Sequence, residues 1–132
     1  MKRAIALLVA ATLLMGMVAA PAAAVTIATT TLRLRVSDQT PDFRTEVTFT
    51  ATLSSNRKAC FASRPVKLYR NGELLRSKQT NSEGVVKWKI TIRANGEWQT
   101  RFRGRTFPHP RDLVCEKSKS TIVRIRVQNK PA

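Results

Sequence analysis

Acidic residues and histidine are what this sequence has least of. Eight Asp and Glu stand against 24 Lys and Arg in 132 residues, and His109 is the only histidine. Carboxylates are so scarce that no two occupy neighbouring outward positions of one strand, which argues against acid/base pairs of the glycosidase kind. His109 lies between Pro108 and Pro110 and reads as a solvent-exposed turn. A Ser–His–acid set would need His109 with Asp112 and a serine, and nothing in the sequence suggests the orienting geometry such a set requires. Two cysteines and one histidine make a poor zinc set, which normally takes four ligands. No phosphate-cradling glycine loop, calcium loop or Cys-x-x-Cys run is present, so no cofactor, metal or enzymatic activity is expected.

The sequence also has a single long hydrophobic run. Lys2 and Arg3 precede an apolar stretch, Ala4 to Val18, broken only by Thr12 and Gly16, and small residues lead on to Ala24. This layout predicts a secretory signal peptide over 1–24, cut after Ala24. The competing reading is an uncleaved anchor, but the run is short for a bilayer span of about 20 residues. No twin arginine precedes it, which favours the general secretory route, and no cysteine follows the cut, which excludes a lipoprotein. The expected product, 25–132, is a secreted single domain without a transmembrane segment. Removing Lys2 and Arg3 leaves 22 basic residues against 8 acidic, a net charge of about +14.

In an oxidising compartment Cys60 and Cys115 are expected to form one disulfide, with two free thiols as the alternative. Closing a loop of about 55 residues stabilises a fold by roughly 4 kcal/mol in the chain-entropy model.

No segment beyond the signal shows an i, i+3, i+4 stripe. Period two takes its place, as in Thr31-Leu32-Arg33-Leu34-Arg35-Val36 and Val86-Lys87-Trp88-Lys89-Ile90-Thr91-Ile92. Such alternation predicts strands with one buried and one wet face. Seven are expected, over 31–36, 45–53, 64–70, 73–79, 85–93, 97–103 and 119–128. Asn71-Gly72 and Asn95-Gly96 suit two-residue hairpin turns, because Asn-Gly takes positive φ readily. Asn81-Ser82-Glu83-Gly84 reads as a further turn, and Pro108-His109-Pro110 opens a longer loop. The inner faces fall to Leu32, Leu34, Val36, Val47, Phe49, Leu53, Val66, Leu68, Val86, Trp88, Ile90, Ile92, Trp98, Phe102, Val123, Ile125 and Val127. An all-β, seven-stranded Greek-key sandwich of two sheets is the expected fold.

The order of signals is also familiar. Pro65-Val66-Lys67-Leu68-Tyr69-Arg70-Asn71-Gly72 precedes Thr80-Asn81-Ser82-Glu83-Gly84, then Asn95-Gly96-Glu97-Trp98 running to Gly104. Ser118-Lys119-Ser120 and Val123-Arg124-Ile125-Arg126-Val127 close the series. This succession, over Leu32 to Gln128, resembles the bacterial immunoglobulin-like domains of secreted and surface proteins, notably of actinobacteria. Its motifs are turn glycines and core positions. The resemblance implies an immunoglobulin-like sandwich and a role as spacer, adhesion or binding module; prealbumin-like domains share a similar layout and are the fold-level rival. One departure stands out. The antibody-type disulfide joins two core strands, whereas Cys60 and Cys115 fall beside strand ends, so a loop-to-loop staple tying 54–63 to 104–118 is expected.

Alternation gives the charge a geometry. With apolar residues inward, Arg33, Arg35, Lys87, Lys89, Arg101, Arg103, Arg124 and Arg126 point outward. Lys67 joins Arg101, Arg103, Arg124 and Arg126 if 64–70 pairs beside 97–103 as in immunoglobulin-like sandwiches, making one contiguous cationic patch. In one reading these are solvated faces whose charges keep sheet edges apart. In the other they concentrate the protein on an anionic surface: a wall polymer, an acidic polysaccharide or a membrane surface. Nucleic acid is disfavoured by secretion and by the core phase of Phe49, Trp88, Trp98 and Phe102; Tyr69, Phe43, Phe61 and Phe107 are left as exposed aromatics, and only Tyr69 lies among basic residues. The expectation is a secreted non-catalytic module associated with the cell envelope. The alternative is a secreted cationic effector, antimicrobial or toxin-like, acting on other cells.

Overall fold

Alternation in the sequence becomes alternation in burial. Along one strand Val86, Trp88, Ile90 and Ile92 are buried while Lys87, Lys89 and Thr91 face solvent. The structure, a computed structural model, describes residues 24–131. The expected signal peptide over 1–24 therefore lies outside the described residues, apart from Ala24.

Three sheets form. The first is antiparallel, with β2 (Thr30–Val36), β3 (Thr45–Ser55) and β6 (Val85–Ile92) in the order β2-β3-β6. The second places β4 (Pro65–Arg70) between β5 (Glu73–Gln79) and β7 (Gly96–Phe102). The far side of β7 pairs with β10 (Ser118–Lys119) and β11 (Val123–Ile125). A small third sheet joins β1 (Thr26–Ala28), β9 (Leu113–Cys115) and β8 (Arg105–Phe107), with β1 parallel to β9. The all-β expectation holds, and from 31–36 through 97–103 the expected strands coincide with β2 to β7 within two residues.

The two larger sheets face one another across a shared core. Val47, Phe49, Ala51 and Leu53 of β3 are buried against Val66, Leu68, Trp98 and Ile125 of the second sheet. Phe49 and Trp98 meet with ring centroids 4.3 Å apart, tilted by 34°. A pair of this kind adds roughly 1 kcal/mol beyond its burial. Val36 and Val127, expected inside, are only partly buried and pack on the rim of the core.

The expected last strand, 119–128, is broken in two. Lys119 lies opposite Arg101, but Val123 lies opposite Trp98, so this side carries one more residue than β7 between the two pairings. Thr121 and Ile122 are consequently both exposed, and the inward phase resumes at Val123. This is the effect of a β-bulge. Ser120 fills the break: its Oγ accepts from the Thr100 N–H at 2.9 Å, and its own N–H donates to the Thr100 carbonyl at 2.9 Å.

Of the two Asn-Gly pairs, Asn71-Gly72 makes the expected hairpin between β4 and β5, with φ of 51° and 80°. Asn95-Gly96 does not, and neither residue takes a positive φ. The reason is topological: β6 and β7 belong to different sheets, so the chain crosses between layers there rather than doubling back. Asn95 instead accepts the Val127 N–H on its Oδ1 at 2.7 Å.

Cys60, at the end of a 3-10 turn (Lys58–Cys60), bonds to Cys115 with an S–S distance of 2.03 Å and Cα atoms 5.4 Å apart. The expected staple between 54–63 and 104–118 is present. Its loop-to-loop character needs correction, because Cys115 ends strand β9. The short strands β1, β8 and β9 went unforeseen because three residues hold too little alternation to register. With them Ala28, Phe107 and Leu113 join the core; Phe107, expected among the exposed aromatics, is 8% exposed.

Gly104 follows β7 with φ +84°, and a Cβ there would stand 2.6 Å from the Cys115 carbonyl oxygen. Gly72 has φ +80° with nothing near its missing Cβ. Gly72→Ala is therefore expected to cost about 1 kcal/mol, the left-handed penalty alone, and Gly104→Ala more than about 2 kcal/mol. Urea unfolding of the oxidised protein measures both. Equal losses would mean that the close approach at residue 104 relaxes freely.

Candidate anion-binding surface

Strand β7 is the ruler for this surface. It buries Trp98, Thr100 and Phe102 and turns Glu97, Gln99 and Arg101 outward. On β4 the outward positions are Lys67 and Tyr69, and in the β4–β7 ladder Lys67 lies opposite Arg101. On the other flank Lys119 of β10 lies opposite the same Arg101. Three cations thus form one row across adjacent strands, at a spacing of about 4.8 Å per strand.

Arg101 is held in place rather than waving in solvent. Its guanidinium carbon sits 4.2 Å from the Tyr69 ring centroid, and its Nε donates to Gln99 Oε1 at 3.1 Å. A cation on an aromatic face at an exposed site gains roughly 0.5–1 kcal/mol. Beside it opens a groove of about 560 Å³, lined by Tyr69, Arg101, Arg103, Lys117 and Lys119 with Phe102 and Ser118. Among the described residues the ion pairs are His109–Asp112 and Arg124–Glu97, which leaves Lys67, Arg101, Arg103, Lys117 and Lys119 without a carboxylate partner.

The five basic residues expected to share one patch are divided by register. Lys67, Arg101 and Arg103 lie together. Arg124 lies opposite Glu97, four residues from Arg101, or about 13 Å along the strand. Its Nε is 3.3 Å from Glu97 Oε1, and both side chains are largely exposed, so the pair contributes between 0 and about 1 kcal/mol. Arg126 lies beyond the end of β11, where its N–H donates to the Gln39 carbonyl at 2.9 Å. The contiguous patch is thus narrower at one end and extended at the other by Lys117 and Lys119. Those two lysines precede or open the expected last strand. Alternation run back from Val123 and Ile125 would turn Lys119 inward; its outward position and its partner on β7 both depend on the bulge, which leaves no periodic trace.

The outer face of the first sheet carries the arrangement expected for it. Arg35 and Lys87 flank Thr50 in register, with Arg33 and Lys89 on the same face. The central strand contributes Thr48, Thr50 and Thr52, so two cationic columns border a row of hydroxyls.

His109 and Asp112 do come together, Nδ1 to Oδ2 at 3.0 Å, on a loop where the histidine is 79% exposed. Among the described residues no group of three or more His, Cys, Asp or Glu side chains is arranged to hold a metal ion. Nor is any helix among them long and apolar enough to cross a membrane.

No protein-family model matches this chain, and neither curated proteins nor solved structures include a significant match to it.

The row rests on polar groups buried beneath it. Ser120→Ala strips the Thr100 N–H of its acceptor in a buried position and should cost about 1–3 kcal/mol. Among the described residues Thr100 Oγ1 has no hydrogen-bond partner, so Thr100→Val should be neutral or stabilising by up to about 1 kcal/mol. Denaturant midpoints of the two variants check the contrast; a destabilising Thr100→Val would reveal a bond to that hydroxyl.

Proposed function

We propose that this chain is a secreted, non-catalytic, immunoglobulin-like binding or structural module held at an anionic cell envelope by the outer face of its second sheet. The observation that carries the proposal is the row Lys67–Arg101–Lys119, three cations on adjacent strands with no facing carboxylate. Like charges set directly opposite in a sheet are destabilising, so this face binds a polyanion more favourably than it stands alone. Arg103 and Lys117 prolong the row along the groove, and Tyr69 pre-orients Arg101. A polymer with regularly spaced phosphates or carboxylates would meet charges at strand spacing. Two facing sheets and one disulfide support the immunoglobulin-like reading, as do the turn glycines at 72 and 84. The disulfide suits an oxidising compartment.

Retention of the oxidised protein on isolated bacterial cell wall, measured across a salt gradient, tests this reading. Binding should weaken steadily as salt rises. The Arg101→Glu/Lys119→Glu double variant should lose about tenfold or more in retention, since each removed charge-assisted bond is worth roughly 1.5–3 kcal/mol. Arg124→Glu/Arg126→Glu, which alters the same net charge outside the row, should lose much less. Equal losses from the two variants would reduce the patch to bulk charge. Leakage of vesicles or target cells without wall retention would favour the cationic effector.

A further inference from the structure

A second cluster of arginines lies near the disulfide. Arg64, Arg105 and Arg111 stand over one ring, that of Phe107, with guanidinium carbons 5.3, 5.3 and 5.1 Å from its centroid. Each is therefore within twice that distance of the other two. A ring has two faces, so at least two of these cations share one. They come from three separate places in the chain, and the disulfide gathers them: Arg64 follows Cys60 by four residues, Arg111 precedes Cys115 by four, and Arg105 lies directly opposite Cys115 in the β8–β9 ladder.

Among the described residues nothing neutralises the cluster. None of the three arginines is among the ion pairs of the described residues. The nearest carboxylate in sequence, Asp112, is turned to His109 Nδ1 at 3.0 Å. Arg64 is half-buried, and its pKa is lowered, first by burial and then by repulsion from Arg105 and Arg111. Its Nε donates to the Ala62 carbonyl at 3.1 Å, which fixes the side chain, and among the described residues its two terminal NH₂ groups donate to no acceptor. A cleft of about 380 Å³ opens alongside, lined by Arg64, Arg105 and Arg103 with the backbone of Gly104.

We propose that Arg64, Arg105 and Arg111, gathered around Phe107 by the Cys60–Cys115 bond, bind one compact tetrahedral oxyanion of the phosphate or sulfate ester class. Guanidinium forks match such oxygens with paired hydrogen bonds, and a doubly charged group relieves the mutual repulsion within the cluster. Pre-orientation by the disulfide and by the Ala62 carbonyl lowers the ordering cost of binding. None of these three residues belongs to the row Lys67–Arg101–Lys119, and Arg103, which lines both openings, is left in place by the variants below, so this reading and the envelope reading fail separately.

The test is a titration of the oxidised protein with inorganic phosphate and, separately, inorganic sulfate at constant ionic strength, followed by NMR of the arginine Nε–H groups and the Phe107 ring. Saturable shifts confined to Arg64, Arg105, Arg111 and Phe107 are expected, and the preferred anion tells a phosphate ester source from a sulfate ester one. Arg105→Gln and Arg111→Gln, both at exposed positions, should each weaken binding about tenfold or more. The Arg33→Gln/Arg35→Gln variant, which removes charge from the other sheet, should leave it unchanged. Folding of each variant is verified by its backbone spectrum. Shifts that never saturate overturn the proposal, as do shifts that weaken equally in the Arg33/Arg35 variant. Binding that survives Arg105→Gln and Arg111→Gln also overturns it, leaving the arginines as a cover for the Phe107 ring.

Discussion

The double-sided pairing of β7 is the constraint on which the rest of the molecule depends. Its backbone is hydrogen-bonded to β4 on one flank and to β10 and β11 on the other, so every outward side chain has a fixed neighbour on each side. Its inward side chains, Trp98, Thr100 and Phe102, reach the centre of the core, where Trp98 meets Phe49 of the facing sheet. The packing that buries Trp98 and the register that sets Lys67 beside Arg101 are therefore one event. Like charges at that spacing repel, and the strand tolerates them because burial on its other face outweighs the cost. A shift of one residue would carry the tryptophan to solvent as it moved the arginine inward.

Charge on this protein is organised by what pairs with it. Glu97 and Asp112 are committed, one to Arg124 and the other to His109. Lys67 and Lys119 each stand one strand spacing from Arg101, inside a Debye length of about 8 Å at physiological salt, and so act with it on an approaching polyanion. Arg124, about 13 Å along the strand and already paired, lies outside that unit. Basicity is thus distributed unevenly: a row on one sheet, two bordered columns on the other, and a tight cluster near the disulfide.

That cluster depends on a segment with almost no regular structure of its own. Residues 104–118 contribute strands of three residues or fewer, paired with the equally short β1 and fastened to the 3-10 turn by Cys60–Cys115. Thr80 adds a second tie, its hydroxyl donating to the Phe61 carbonyl and accepting the Arg64 N–H. A buried Phe107 then gives the segment an apolar anchor under its arginines.

Local chemistry was legible throughout. Period-two alternation marked β2, β3, β4, β6 and β7 and separated core from surface along them, as Val86 and Lys87 or Leu34 and Arg35 illustrate, whereas β5 buries none of its residues. Asn71-Gly72 carried its turn, since positive φ is a property of the residues themselves. The pairing of Cys60 with Cys115 followed from there being only two cysteines, on the expectation of an oxidising compartment. Legibility stopped where a feature depended on residues far apart in the chain. Asn95-Gly96 has the same letters as Asn71-Gly72 but joins two layers, and only sheet membership distinguishes them. The bulge at Ser120–Ile122 turns Lys119 outward and brings it opposite Arg101, which no periodicity records. Phe107 looked exposed because the arginines that cover it lie 43 residues before it, two before it and four after it in sequence. Which side chains face inward on β2, β3, β4, β6 and β7 was readable from the amino-acid order, because alternation is a one-strand property. Which cations stand side by side emerges with strand pairing, because register and sheet order are properties of pairs of strands.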